Sequence, residues 1–470
     1  MSKKLLLINP WIYDFTAYDL WGKPLGLLYL GGFLRRFGFE VSLIDCLDKY
    51  AEPPFPKVKK YGIGPFKRTE IPKPEILQHV PRKFARYGIS EELFIQKLKE
   101  NSDADAVLVT SIMTYWYLGV KRVVELVRTH LPDVPVILGG IYATLLPEHA
   151  KRVIRPDYII TGPGEIKTLN LLSDLFSLSI PADQLPKTLD DYPYPAFDLL
   201  NHPDYLIIMT ARGCPYNCSF CAQKKISMPF TQRQPQKVVE EMVSHYHRFK
   251  LRDFAFYDDA LFIAKKKHIQ VILQGLIESR LPFRLHTPNG LFIRFIDREL
   301  ADLMYRSNFK TIRLSYETTN ESRWPDMYSK VSNEAMVQAV KNLKSAGYHP
   351  REIESYVIMG LPGQTLEEVV ASIIFVNNLG VIVRLASFSP IHGTVEFDRA
   401  VQAGLIPEDM DPLLTNKTIF SMRNPTISYE TLRKIRKFAA IMNEAAKNEI
   451  ALFNNEKLGL AVKKVVREMQ

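Results

Sequence analysis

Cysteine is scarce in this chain, with four residues among 470. Three of them, Cys214, Cys218 and Cys221, fall within eight positions, and Cys46 stands alone near the N-terminus. Disulfide frameworks are rare in a reducing cytosol, so three clustered thiols point to metal or redox chemistry instead. Long apolar runs are missing too, and none approaches the ~18 residues of a membrane span. The opening Lys3-Lys4-Leu5-Leu6-Leu7-Ile8-Asn9-Pro10 begins like a secretion signal, but its apolar stretch is four residues long. A signal core needs roughly 7–15, so a first buried strand in a cytoplasmic protein is the expectation. No internal repeat stands out.

What is present is the composition of a globular protein, 46% hydrophobic and 24% charged. The length exceeds one ordinary domain and suggests two or three. The net charge is +10, and residues 51–100 hold eleven Lys and Arg against six acids. Such a basic surface attracts nucleic acid, anionic lipid or acidic substrates. No nucleic-acid motif accompanies it, so a solvated insertion is the preferred reading.

Alternation of short apolar runs with helical periodicity organises the chain twice. The first series has strands at 3–9, 39–45, 106–112, 134–139 and 158–161, with helices at 25–37, 118–131, 143–152 and 166–176. It predicts an α/β fold, a doubly wound parallel sheet over residues 1–180. A Pro-rich basic stretch, 53–82, interrupts it as an insertion, about 50–100, with little secondary structure expected of its own. After a linker rich in Pro and Asp, 181–195, six strands are predicted near 205–210, 252–257, 283–287, 310–315, 353–358 and 384–388. Helices are predicted at 234–249, 265–279, 297–306, 333–346 and 365–379. Six strand–helix units over 195–392 curve into a partial barrel, whose reactive groups belong at the C-terminal strand ends. Residues 393–470 read as a small, mostly helical C-terminal region with one clear helix from Tyr429 to Asn448.

The thiols follow the first barrel strand, in Ala211-Arg212-Gly213-Cys214-Pro215-Tyr216-Asn217-Cys218-Ser219-Phe220-Cys221. A loop there can wrap three thiolates around one corner of an iron–sulfur cube and leave the fourth iron open to a chelating substrate. A zinc site wants four ligands, and no His or Cys follows at zinc-finger spacing. His245 and His247 lie well into the next helix and read as surface or packing residues.

Spaced as CxxxCxxC with Phe220 before the last cysteine, the loop resembles the signature of the radical S-adenosylmethionine (SAM) superfamily. The resemblance spans roughly 200–395. It implies a [4Fe–4S] cluster on Cys214, Cys218 and Cys221, whose open iron binds SAM and cleaves it to a 5′-deoxyadenosyl radical. It also implies an external electron donor of flavodoxin or ferredoxin type. By the same resemblance, Asp258 and Asp259 after the second strand bind the methionine amine, although a helix N-cap competes for them. Ser315 and Glu317, closing the fourth strand, serve the ribose hydroxyls or the methionine end; a salt bridge from Glu317 to Arg313 or Arg384 is the rival account. Gly360, in Met359-Gly360-Leu361-Pro362-Gly363, lets the backbone approach adenine or simply makes a tight turn. Asn289 either touches ligand or shapes its own turn.

The first domain resembles the cobalamin-binding domain that precedes the radical domain in one large subgroup. The matching pieces are Pro24 to Gly31, the strand ending at Ser111, Gly139 to Glu148 and Thr161 to Glu165. Site residues carried over are Ser111, Tyr115, Gly139, Gly140, Thr144, Gly162 and Glu165, with the glycines admitting a flat macrocycle. The Asp-x-His-x-x-Gly motif of a lower axial histidine is absent, which suggests a cobalt without a protein imidazole, covered by Thr114, Tyr115 or Trp116. A domain of the same fold holding no cofactor is the alternative.

Together the two resemblances imply cobalamin-dependent methylation of an unactivated carbon, with methylcobalamin quenching a substrate radical. Rearrangement or cyclisation without methyl transfer remains open, as does, more remotely, a non-catalytic cobalamin- or nucleic-acid-binding module. A methylthiotransferase would need three further N-terminal cysteines, and only Cys46, read as a buried strand residue, is available. The substrate, a small molecule or a peptide, is not legible. Contacts to it are expected from the insertion, from His392 and from the C-terminal region.

Overall fold

The computed structural model describes residues 2–419, 427–450 and 458–469. Its contacts divide the chain into two compact units. One comprises 1–207 with 225–228 and 411–414, and the other 208–224, 229–410 and 415–470.

In the first unit the apolar run at the N-terminus forms β1 (Lys4–Asn9), with Leu5 to Ile8 fully buried. It is followed by α1 (Leu25–Arg36), which ends as Gly38 turns to φ +84°, and by β2 (Glu40–Asp45). The insertion departs from expectation. It contains two short antiparallel strands, Arg68–Glu70 and Ala85–Tyr87, the second of which also pairs with Ile12–Asp14 from before α1, then α2 (Glu91–Glu100). Ser90 caps α2 by accepting from the amide of Leu93 at 3.3 Å, acids fill its first turn and Lys97 and Lys99 its last. That is a complete set of helix signals, hidden by the proline-rich stretch before it.

The alternation then resumes with β3 (Ala106–Val109), α3 (Tyr117–His130) and β4 (Val136–Leu138). The helix expected at 143–152 is split into α4 (Ile141–Leu145) and α5 (Pro147–Val153), because Pro147 has no N–H and disfavours helical backbone at Leu146. The series closes with β5 (Tyr158–Ile159) and α6 (Glu165–Phe176). The sheet order is β5-β4-β3-β1-β2 with every pair parallel, the doubly wound arrangement. Cys46 lies buried just past β2.

The second unit is the partial barrel. Its elements are β6 (Leu206–Ile208), α7 (Pro235–Phe249), β7 (Asp253–Phe256), α8 (Ile269–Glu278), β8 (Arg284–His286), α9 (Arg298–Arg306), β9 (Ile312–Glu317), α10 (Asn333–Ser345), β10 (Ile353–Met359), α11 (Leu366–Asn378) and β11 (Ile382–Ser387). Strands β6-β7-β8 and β9-β10-β11 are each adjacent in that order, and a parallel bridge from Leu285 to Phe309 joins the two sets. α8 starts four residues later than expected, after a short 3₁₀ turn at Lys265–Lys267.

The C-terminal region supplies α12 (Val395–Gln402), α13 (Tyr429–Lys447) and α14 (Leu458–Met469). The latter two pack on α11. Residues 420–426 and 451–457 of that region lie outside the described residues. None of the described helices is long and apolar enough to cross a membrane.

Candidate active site

The cysteine loop grows out of a short antiparallel stem, Ala211 paired with Gln232 and Arg212 with Thr231. Gly213, at φ +79°, turns the chain into the loop. The amide of Cys221 donates to the carbonyl of Cys218 at 3.0 Å, so the last two thiols share one tight turn. All three cysteines are free: Cys218 is buried, Cys214 half-buried and Cys221 exposed. Burial pushes the Cys214 thiol up to about 11 and raises Cys218 as well. Among the described residues no three His, Cys, Asp or Glu converge as ligands of a single ion. Thiolates on three separate irons of a cubane stand wider apart than that. Three soft donors on one loop, without a fourth, fit a cluster with one open iron.

The neighbouring strand ends carry the other candidates, and the structure separates the two adjacent carboxylates. Asp258 is buried, and its oxygens accept from the Thr210 amide at 3.0 and 3.1 Å and from its hydroxyl at 2.7 Å. Its carboxyl, raised by burial to about 6, therefore ties β7 to β6. Asp259 accepts from the amide of Gln223, just past Cys221, and is pushed to about 7 by burial and by Asp258. Neither residue caps a helix, since α8 begins ten residues on.

Asn289 donates its side-chain amide to the carbonyls of Tyr257 and Asp258, at 2.9 and 3.1 Å, and so shapes the rim. Next to it Gly290 lies against β9, where a Cβ would come within 2.7 Å of the Ser315 Cβ. Ser315 donates to Glu317 at 2.8 Å across a register shift in β9, with Glu317 held at φ +73°. For a long side chain that backbone is strained, and such strain gathers at functional sites. The rival salt bridges are engaged elsewhere, because Arg313 and Arg384 both pair with Glu354. Gly360, at φ +93°, donates to Gln364 at 2.7 Å and closes its own tight turn.

Sequence reasoning missed Lys330. It is buried and hydrogen-bonded to Cys218, with its ammonium 5.8 Å from the Phe220 ring centroid and 5.0 Å from that of Phe292. Burial alone would lower its pKa, but Glu317 and Cys218 outweigh that and hold it above the ordinary lysine value. A lone lysine in a polar loop, thirteen residues after Glu317, carries no motif that marks it. The cluster loop is thus flanked by a carboxylate pair of unlike environments, a second buried carboxylate and one buried cation.

In the first unit the candidates at the ends of β3, β4 and β5 also converge. Ser111 donates its hydroxyl to the Gly139 carbonyl at 2.7 Å, and its own carbonyl accepts from Ile141 at 2.7 Å. Thr144 donates to the Gly140 carbonyl and accepts from the Gly162 amide, both at 2.8 Å. Gly140 is packed against Ser111. At φ +94°, its Cβ position falls 2.3 Å from the Ser111 carbonyl oxygen, so no side chain fits there and the glycine is required by the packing of β3 on β4. A Cβ at Gly139 or Gly162 would make only ordinary van der Waals contact, 3.8 Å from the Ile160 carbonyl oxygen and 3.7 Å from Lys167 Nζ. Tyr115 is buried, and Trp116 beside it is fixed by its indole to Asp14 at 2.7 Å. Glu165 opens α6 and is buried.

The profile of the Radical SAM superfamily matches residues 208–376, the barrel with its cysteine loop. The chain is a radical SAM enzyme. The B12 binding domain profile matches 83–172, so this radical SAM enzyme belongs to the subgroup that carries a cobalamin domain. Its cofactors are accordingly a [4Fe–4S] cluster, SAM and cobalamin. It is 26% identical over 358 residues to an uncharacterized methyltransferase of Pyrococcus horikoshii, covering 68% of this chain and 75% of that one. Identity to the cytidylyl-2-hydroxyethylphosphonate methyltransferase of Streptomyces wedmorensis is 24%, over 87% of this chain and 83% of the relative. With an anaerobic magnesium-protoporphyrin IX monomethyl ester cyclase of Rubrivivax gelatinosus it is 25%, over 56% and 52%. The fold is shared with TsrM of Kitasatospora setae, solved with cobalamin and a [4Fe–4S] cluster, at TM-score 0.63 and 16% identity over 100% and 99% of the two chains.

Proposed function

We propose that this radical SAM enzyme methylates an unactivated carbon of its substrate. The observation that carries this reading is the extent of the methyltransferase resemblance, up to 87% of the chain, against 56–64% for the cyclases. When bound, the cluster supplies an electron that cleaves SAM, and cobalamin carries the methyl group. Cys214, Cys218 and Cys221 hold the cluster. Asp259 takes the SAM ammonium, Lys330 its carboxylate, and Ser315 with Glu317 the ribose hydroxyls. Asp258 and Asn289 brace the rim from behind, and Phe220 walls the loop. Gly360 sits where its turn abuts the adenine. In the first unit Gly139 and Gly162 admit the macrocycle, Ser111 and Thr144 set the shelf beneath them, and Tyr115 and Glu165 flank it. The substrate, a small molecule or peptide, and a one-electron donor protein complete the system.

Turnover with purified protein, cobalamin and a candidate substrate tests the reading. Methylation requires two SAM per product, giving S-adenosylhomocysteine and 5′-deoxyadenosine in equal amounts, with labelled methyl recovered on carbon. Release of 5′-deoxyadenosine without matching S-adenosylhomocysteine would overturn it in favour of cyclisation or rearrangement, the reading that the cyclase relatives support.

A further inference from the structure

Ser219 lies between Cys218 and Phe220, and all three of its polar groups are taken. Its amide donates to the Asp326 carbonyl at 2.8 Å, and its carbonyl accepts from the Glu396 amide at 3.1 Å. Its hydroxyl donates to Glu396 Oε1 at 2.7 Å. Arg399 closes the ring, donating to the same Glu396 oxygen at 2.7 Å and to both oxygens of Asp326 at 2.7 and 2.9 Å. Glu396 is 1% exposed, in the first turn of α12, a helix capped by Thr394. Burying a carboxylate there is costly unless its hydrogen bonds serve something, and an exposed glutamate would suit that helix turn equally well.

We propose that Glu396 is a positioning residue that presets the cysteine loop for its cluster through Ser219. Ordering a loop costs backbone entropy at every residue it fixes. With Ser219 held at three points, the Cys218–Cys221 turn is fixed before any iron arrives. Arg399 ties Glu396 to Asp326 in turn, so the segment after the barrel and the loop after β9 both hold Ser219. This rests on the reading that Cys214, Cys218 and Cys221 hold the cluster.

The test uses the full chain, reconstituted anaerobically with iron and sulfide. Iron content, the electron paramagnetic resonance spectrum of the reduced cluster and the rate of iron loss to a chelator are compared across variants. Glu396→Ala should lose iron roughly tenfold faster or more, as expected when a charge-assisted hydrogen bond is removed. Its spectrum should broaden. Glu396→Gln, which keeps an acceptor for Ser219, should recover most of the difference. Glu354→Gln breaks partly buried ion pairs to Arg313 and Arg384 near the N-terminal ends of β9, β10 and β11; it should lower the melting temperature without changing iron loss. If Glu396→Ala does not fold, Ser219→Ala gives the same comparison with a smaller, severalfold increase in rate.

Wild-type rates and spectra in Glu396→Ala, or in Ser219→Ala where that stands in, would overturn the inference and leave the cluster assignment standing. Equal acceleration in Glu354→Gln would reduce Glu396 to a general stabiliser and overturn it as well. Retention of iron by the triple cysteine variant would remove the reading on which it rests.

Discussion

Around Ser111, Gly139, Thr144 and Gly162 the strand ends are joined by hydroxyls and backbone groups. Around Cys218, Asp259, Glu317 and Lys330 they carry ionisable side chains: Gln223 donates to Asp259, Ser315 donates to Glu317, and buried Lys330 lies under the influence of Glu317 and Cys218. Both rims stand where parallel strands end, and topology alone does not distinguish them. Their chemistry does. A neutral, hydroxyl-tied shelf suits a large, largely uncharged ring, while paired carboxylates and a lysine suit a zwitterion that must be oriented on an iron.

The largest expected effect tests the charged rim. Replacing Cys214, Cys218 and Cys221 together by Ala should abolish iron binding and SAM cleavage, read by iron analysis and by 5′-deoxyadenosine release. Cys46→Ala should change neither, because that thiol is buried in the first unit.

Next comes Gly140→Ala on the neutral rim. A methyl group would meet the Ser111 carbonyl at 2.3 Å on a positive-φ backbone. A loss of about 1–3 kcal/mol or more is expected, seen as a lower melting temperature and lost cobalamin uptake. Iron content should stay normal, and parallel loss of both cofactors would show that the rims are not separable.

Lys330→Met and Glu317→Gln should each keep the cluster yet weaken SAM binding ten- to a hundredfold, the roughly 1.5–3 kcal/mol of a charge-assisted hydrogen bond. Titration of SAM into the reconstituted protein measures it, and an unchanged affinity in both would move the zwitterion site elsewhere. The smallest effect is expected from Thr144→Val, which removes the bridge between Gly140 and Gly162. Cobalamin affinity should fall about fivefold to tenfold, the ~1 kcal/mol of a neutral hydrogen bond.

Much of this was legible in the residues. Strand and helix periods located both sheets, and the spacing of three cysteines located the loop. What stayed hidden depends on which side chain faces which neighbour. Asp258 and Asp259 look alike in the chain, and only the fold turns one toward Thr210 and the other toward Gln223. Gly140 reads as ligand space until Ser111, twenty-nine residues earlier, occupies it. Lys330 and Glu396 reach the cysteine loop from 112 and 177 residues away, beyond any local pattern. The helix at Glu91–Glu100 was written plainly in its cap and charges, and was obscured by reading the basic, proline-rich stretch as one piece.

A barrel of six strands leaves its last strand with bare peptide groups along one side. Here a single side chain answers for Val383: Asn443 of α13 accepts from its amide at 2.8 Å and donates to its carbonyl at 3.0 Å. The amide of Asn377 on α11 in turn steadies Asn443 at 2.9 Å. The C-terminal helices therefore act as a seventh strand in miniature, giving β11 a neighbour of the same chain. Shortening the protein before Asn443 would hand that vacancy to whatever extended peptide comes by, another copy included, and the first symptom would be precipitation rather than lost chemistry.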